Sequence, residues 1–206
     1  DNGAYGRAWE INMNRTITVG VVAVQGAFAE HCRTLGKLGA SAKEIRSVSD
    51  LSPTPDGLIF PGGESTAQGK LLRESGLFDM ILPLIKGGLP VYGTCAGMVL
   101  LAGRIENDDR KHFAAMDITV RRNAYGRQLG SFMTTGDFAG IGDVPMYFIR
   151  APYISSAGKD VNVLSRWDGK ITAAREANML VTSFHPEVTE DPTVHSYFLS
   201  MISQGH

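Results

Sequence analysis

The chain has little cysteine. Two residues in 206, Cys32 and Cys95, lie far apart in the sequence. They form no C-x-x-C and no zinc-type spacing, which argues against a disulfide framework or a structural metal and fits a reducing, cytoplasmic setting. Charge of either sign is not in excess either: 20 Lys and Arg face 21 Asp and Glu, for a formal net charge of −1. That balance argues against the basic footprint of a nucleic-acid binder or a membrane-surface protein. No apolar run approaches the roughly 20 residues of a transmembrane helix. No basic segment followed by an apolar run opens the chain, so no secretory signal is expected. Internal repeats and low-complexity tracts are absent. No metal-ligand cluster is present, and neither a metal nor a cofactor is expected.

What remains is an ordinary globular composition, 43% hydrophobic, with 24 glycines, many of them at the ends of predicted elements. Residues 1–12 carry no clean period. Met13 reads as the natural start, with 1–12 a leader or flexible extension and 13–206 a single domain; a genuine surface extension is the alternative. From Thr16 onward strands and helices alternate. Ile17 to Val24 is a continuous apolar run of the kind buried in parallel sheets. A helix over Ala27 to Leu38 follows, closed by Gly39. Strands are predicted at Ala42–Arg46, Gly57–Phe60 and Leu89–Tyr92, and helices at Thr66–Arg73, Phe78–Ile85 and Met98–Arg104. Glu106 to His112 reads as a charged surface loop. The second half is richer in strand, with candidates at Asp117–Arg122, Gly130–Met133, Met146–Ile149, Asn162–Ser165, Ile171–Ala174 and Met179–Phe184. A last helix starts at Asp191-Pro192 with Pro in its first turn. The pattern predicts an α/β fold, a doubly wound and mainly parallel sheet with an antiparallel extension. Ligands of such sheets bind at the C-terminal ends of the strands, where Gln25, Gly62-Gly63 and Cys95 all fall.

Three segments carry chemistry. In Gly93-Thr94-Cys95-Ala96-Gly97 a cysteine sits where a strand turns sharply into a helix, a cysteine version of the G-x-S-x-G elbow. Small neighbours let strand and helix pack closely and push the central side chain out at the bend. The helix N-terminus there favours thiolate, the reactive form. A small buried cysteine fits the same turn. In Ser183-Phe184-His185-Pro186-Glu187, an extended chain would project His185 and Glu187 to one side, and a carboxylate beside a histidine fixes its tautomer and stabilises its cation. A surface His–Glu pair is the plainer reading. In Pro61-Gly62-Gly63-Glu64-Ser65 the glycines allow backbone N–H groups to approach an oxyanion, or serve a tight turn that needs positive φ. Glu64 suits a substrate ammonium or the start of the next helix.

Together these segments resemble the class I, triad-type glutamine amidotransferases. Ala23-Val24-Gln25-Gly26-Ala27 with Glu30-His31, the run Arg122 to Gln128, Phe148-Ile149-Arg150-Ala151-Pro152 and the run His185 to Asp191 resemble the glutaminase subunits of pyridoxal 5'-phosphate synthases within that class. The resemblance implies a flavodoxin-like three-layer fold and hydrolysis of L-glutamine to glutamate and ammonia. It implies Cys95 as nucleophile, His185 as base and Glu187 as its orienting group. It also implies Gly62, Gly63, Glu64, Arg122, Ile149 and Arg150 at the glutamine site, with Gln25 beside Gly63 near the oxyanion loop and the partner interface. Read alone, the two arginines are surface salt-bridge residues and Gln25 a polar strand end. The implied partner is a (β/α)8 synthase subunit in a hetero-oligomer, which receives the ammonia through an internal passage. Met133 departs from the family's usual Glu, and Tyr125 from its usual Phe. The neighbours His31 and Cys32 are not expected to form a second catalytic pair, since adjacent helical residues point about 100° apart. His195 is expected on the surface or at an interface.

Overall fold

The computed structural model describes residues 15–123 and 130–205. Residues 1–12, Met13 and the 124–128 part of the expected Arg122–Gln128 segment lie outside the described residues. The order is β1 (Thr18–Val22), α1 (Phe28–Lys37), β2 (Ser41–Ile45), a 3₁₀ turn (Val48–Leu51), β3 (Gly57–Phe60), α2 (Ser65–Glu74), α3 (Leu77–Lys86), β4 (Val91–Thr94), α4 (Ala96–Leu101), β5 (Ala102–Ile105) and β6 (Met116–Arg121). There follow β7 (Ser131–Phe138), β8 (Gly142–Ile149), β9 (Tyr153–Ala157), β10 (Asn162–Trp167), β11 (Lys170–Glu176), β12 (Met179–Thr182), a second 3₁₀ turn (Pro186–Val188) and α5 (Thr193–Gln204). Among these residues no helix is long and apolar enough to cross a membrane.

The main sheet runs β2-β1-β3-β4-β12-β11-β9-β6-β5, with β10 paired to β11. β2, β1, β3, β4 and β12 are all parallel; β11, β9 and β6 continue the sheet antiparallel, and β5 returns parallel to β6. This is the expected architecture. The parallel strands are apolar on both faces because both faces are covered. Val19, Val21, Ile59, Tyr92 and Leu180 pack with Leu35 of α1 and with Phe198, Leu199 and Ile202 of α5. Their alternates Val22, Leu58, Phe60, Val91 and Val181 pack with α2, α3 and α4 through Leu72, Leu77, Ile81 and Val99. Because β1, β3, β4 and β12 run the same way, the residues that follow them line one edge of the sheet.

Four details differ from the sequence reading. The helix predicted over Met98–Arg104 ends at Leu101, and the chain turns at once into β5. Gly103 permits this, since a Cβ there would stand 2.7 Å from the Met116 carbonyl of the neighbouring strand. β7 and β8 are longer than expected and pair only with each other, as a separate ribbon on which Met133 is exposed opposite Tyr147. β9 was not anticipated, because its Tyr-Ile-Ser-Ser-Ala sequence lacks an apolar run. Pro192 occupies the cap of α5 and not its first turn; the Asp191 carboxylate accepts the Thr193 N–H at 2.8 Å.

Candidate active site

Cys95 lies between the last residue of β4 and the first of α4, with φ 51° and ψ −101°. Positive φ is costly for a residue with a Cβ and persists only when its surroundings hold it. The holding contacts are explicit. The Cys95 N–H donates to the Thr182 carbonyl of β12 at 2.8 Å. A Cβ on Gly93 would come within 2.6 Å of the Gly97 carbonyl group, and one on Gly97 would overlap the Phe60 carbonyl of β3. Both glycines therefore answer to close packing, as their spacing suggests. The thiol is 7% exposed, and its sulfur lies 4.0 Å from the Ile149 carbonyl oxygen.

His185 follows β12 and donates its backbone N–H to the Tyr147 carbonyl of β8 at 2.8 Å. The segment after it is not extended, as the period-two argument assumed. Pro186 opens a 3₁₀ turn, which its fixed φ suits. The turn still brings Glu187 back onto the ring, with Nδ1 of His185 2.6 Å from Oε1 of Glu187. Burial pulls the His185 pKa down. Its hydrogen bonds with Cys95 and with Glu187, and the charges of both, outweigh burial and bring it up to about 10. Burial likewise opposes the Glu187 charge, and the neighbouring histidines bring that carboxyl down to about 2. His31 is itself depressed by burial, so near neutral pH it faces Glu187 as a neutral ring, and the cation that keeps the carboxylate ionised is His185.

A dependence of stability on pH follows. A histidine raised from 6.5 to about 10 stabilises the fold fully below 6.5 and progressively less as pH rises through 10. A carboxyl lowered from 4.5 to about 2 stabilises it fully above 4.5 and less as pH falls through 2. The pair therefore contributes most between about 4.5 and 6.5. The melting-temperature gap between the parent and Glu187→Gln should be widest in this window; a gap that does not change with pH would contradict the linkage.

Cys95 faces a small cavity of about 100 Å³ lined also by Gly63, Glu64, Arg122, Arg150 and Pro152, among others. Neither Gly62 nor Gly63 has positive φ, so the tight-turn explanation of this pair does not hold. Space is the reason for both. A Cβ on Gly62 would overlap the His185 ring, and one on Gly63 would overlap Oε1 of Gln25. The Gly62 carbonyl accepts the Ala27 N–H at 2.9 Å. In a trans peptide the Gly63 N–H then points the opposite way, away from α1. Gln25 lies behind this loop, its Oε1 accepting the Glu64 N–H at 2.9 Å. The Glu64 carboxylate caps α2, accepting from the Thr66 and Ala67 N–H groups at 3.0 and 2.6 Å. Burial opposes its charge, yet those two amides hold its pKa below the usual carboxylate range. Arg122 is ion-paired to Asp108 at 2.7 Å, the salt bridge foreseen for an arginine read alone, while it also lines the cavity. Arg150 has φ 44°, a left-handed turn that carries it to the rim beside Ile149. A larger, shallow depression of about 570 Å³ beside β10 and α5 shares no residue with this cavity. Its one charged residue, Arg175, is tied to Ala177 O at 3.2 Å and to the Tyr197 hydroxyl at 3.3 Å.

A sulfur on a strained bend, an imidazole with its carboxylate, and a cavity with two arginines suit cleavage of an amide on a charged small molecule. Comparison with known proteins agrees. The profile of the SNO glutamine amidotransferase family matches residues 21–204. The chain belongs to that family. It is 57% identical over 185 residues to pyridoxal 5'-phosphate synthase subunit PdxT of Methanocorpusculum labreanum, covering 90% of this chain and 97% of that protein. It is 55% identical over 190 residues to the protein of the same name from Haemophilus influenzae, covering 89% and 97%. A crystal structure described as a glutamine amidotransferase superposes with a TM-score of 0.85 at 41% identity, covering 89% of this chain and 98% of that one.

Within the amidotransferase frame the structure adds residues that motif reading passed over. Asp108 and Arg110, in the segment read as a solvated loop, form an ion pair at 2.6 Å, and Arg110 also reaches the Thr66 hydroxyl at 3.0 Å. The Arg110 hydrogen bonds and the Arg110 and Arg122 charges hold the Asp108 carboxyl far below its ordinary range. His195 is not on the surface: it is fully buried and hydrogen-bonded to His31. His31 and Cys32 part company as expected, His31 turning inward and Cys32 remaining half-buried with its thiol pushed up, first by burial and then by Glu44.

Proposed function

We propose that this chain is the glutaminase subunit of a pyridoxal 5'-phosphate synthase. The reading is carried by the line from Cys95 through His185 to Glu187 at the edge of a cavity with Arg122 and Arg150 on its wall. A single domain, residues 13–206, carries the activity. Cys95 attacks the side-chain carbonyl carbon of glutamine, and the thiol proton resides on His185. Charge develops on the carbonyl oxygen, toward the Gly62-Gly63 loop and the start of α4. His185 then protonates the departing nitrogen, the C–N bond breaks, and ammonia leaves behind a glutamyl thioester. Water, deprotonated by His185, attacks the thioester carbon and releases glutamate and the thiol. Arg122 and Arg150 bind the substrate carboxylate, for which a guanidinium is well shaped. Backbone groups around Glu64 and Ile149 complete the site, and Gln25 supports the oxyanion loop.

Ammonia released into bulk water is protonated and loses its lone pair, so the chain delivers it to a (β/α)8 synthase partner in a hetero-oligomer. Two free thiols, Cys32 and Cys95, suit a cytoplasmic complex. The test is glutamate release from glutamine, with and without the cognate synthase. A slow rate alone, rising at least about tenfold on addition of the partner, is expected; equal rates would remove the partner from the proposal. Asp108 turns Arg122 toward the substrate, so Asp108→Asn should raise KM for glutamine by about three- to tenfold with little change in kcat, the signature of lost ground-state binding. An unchanged KM would leave the Asp108–Arg122 pair with a structural role only.

A further inference from the structure

A second polar cluster lies behind Glu187, on the α1–α5 side of the sheet. His31 of α1 and His195 of α5 have no exposed surface. Nδ1 of His31 lies 2.8 Å from Nε2 of His195. Nε2 of His31 lies 3.2 Å from the Thr94 hydroxyl and 3.7 Å from Oε1 of Glu187, the oxygen that also meets His185. Tyr92 presents T-shaped ring contacts to both imidazoles, at 6.2 and 6.0 Å between centroids. One ring thus touches the residue before Cys95 and the carboxylate behind His185.

The proton positions follow from accounting for every buried nitrogen. Burial keeps both rings neutral near neutral pH: His195 is lowered to about 3, and His31 is lowered as well. One proton lies between the two rings. Nδ1 of His195 has no partner among the described residues. If His31 donated to His195, that orphan nitrogen would carry a buried, unpaired N–H, which native proteins avoid more strictly than an unpaired lone pair. His195 therefore donates from Nε2 to Nδ1 of His31. The His31 proton is then on Nε2, directed at the Thr94 hydroxyl and the Glu187 carboxylate. Oε2 of Glu187 has no partner among the described residues, and Oε1, flanked by two imidazoles, is the atom by which the histidines hold this buried carboxylate.

We propose that His31 is a positioning residue that holds Glu187 and Thr94 in register behind His185 and Cys95, and that His195 fixes the tautomer in which it does so. This rests on the assignment of Cys95, His185 and Glu187 given above. The titratable groups facing His185 are Cys95 and Glu187, with His31 behind the latter. Loosening Glu187 lets the His185 pKa fall, so the alkaline limb of the rate profile moves to lower pH.

The test compares glutamate release by the synthase complex of the parent, His31→Leu, His31→Gln and His195→Phe across pH. His31→Leu should lower kcat by about tenfold or more with KM within about twofold, and shift the alkaline midpoint of kcat/KM down by at least about half a unit. His31→Gln, which keeps an N–H at the end of the side chain, should recover at least about a third of the parent kcat. His195→Phe should show the same changes in smaller measure. Equal losses in the Leu and Gln variants with an unmoved midpoint would reduce His31 to space filling and overturn the proposal, as would full activity in both. If the Leu variant does not fold, an unmoved kcat and midpoint in His195→Phe and His31→Gln overturn it. A parent complex that releases no glutamate sinks the amidotransferase assignment and this proposal together, whereas an active parent matched by His31→Leu sinks this proposal alone.

Discussion

Cys95→Ala should abolish glutamate release, by at least about a thousandfold, because no other group can form the thioester. The replacement is small, and the bend is held by contacts that alanine keeps: the backbone bond to Thr182 and the packing of Gly93 and Gly97. Melting temperature and partner binding should therefore stay near the parent's while turnover disappears. Glutamine should still bind, since the arginines and the Glu64 segment are untouched, and calorimetry on the inactive complex would show it. A variant that releases glutamate at the parent rate would remove the sulfur from the mechanism. A variant that fails to fold would point to packing as the main duty of that side chain.

Gly62→Ala should cost nearly as much by another route. The added methyl overlaps the His185 ring, which has no room to withdraw: its backbone is tied to Tyr147 and its Nδ1 to Glu187. Either the ring leaves its line to the sulfur or the loop recoils and carries the Gly63 N–H with it. Both remove an interaction made in the transition state, so kcat should fall by about a hundredfold or more with a smaller change in KM. Gly36→Ala in α1 is the control, since nothing lies within 4 Å of a Cβ there and its φ is not positive. Should Gly62→Ala retain more than about half the parent kcat, the loop would have to be far more yielding than its packing implies.

The elbow was legible because Gly93 and Gly97 flank Cys95 at the spacing that close strand–helix packing demands. His185 and Glu187 were legible as a pair, although the extended geometry argued for them was not the one adopted; the 3₁₀ turn begun by Pro186 reaches the same contact. Of the two reasons offered for the glycine pair, positive φ is the one the loop does not use, because a glycine needed for space and one needed for positive φ read alike in a sequence. His31 and His195 were out of reach. They are 164 positions apart, and they meet only because α1 and α5 cover the same face of the sheet. Asp108 and Arg110 were hidden by resembling a solvated charge run, and only the fold of the β5–β6 connection turns them toward Arg122 and Thr66. β9 was missed because its burial comes from sheet neighbours and not from its own composition.

The contact of Gly97 with the Phe60 carbonyl has a further bearing. It fastens the bend that carries the sulfur to the strand that runs on into Gly62-Gly63. Thiol and glycine pair ride on one rigid frame, and their separation is set when the chain folds. The opposite wall, at Ile149 and Arg150, hangs from the separate β7–β8 ribbon. That ribbon also holds the His185 backbone through the Tyr147 carbonyl, so base and wall take their places from one hairpin while the sulfur takes its place from the sheet.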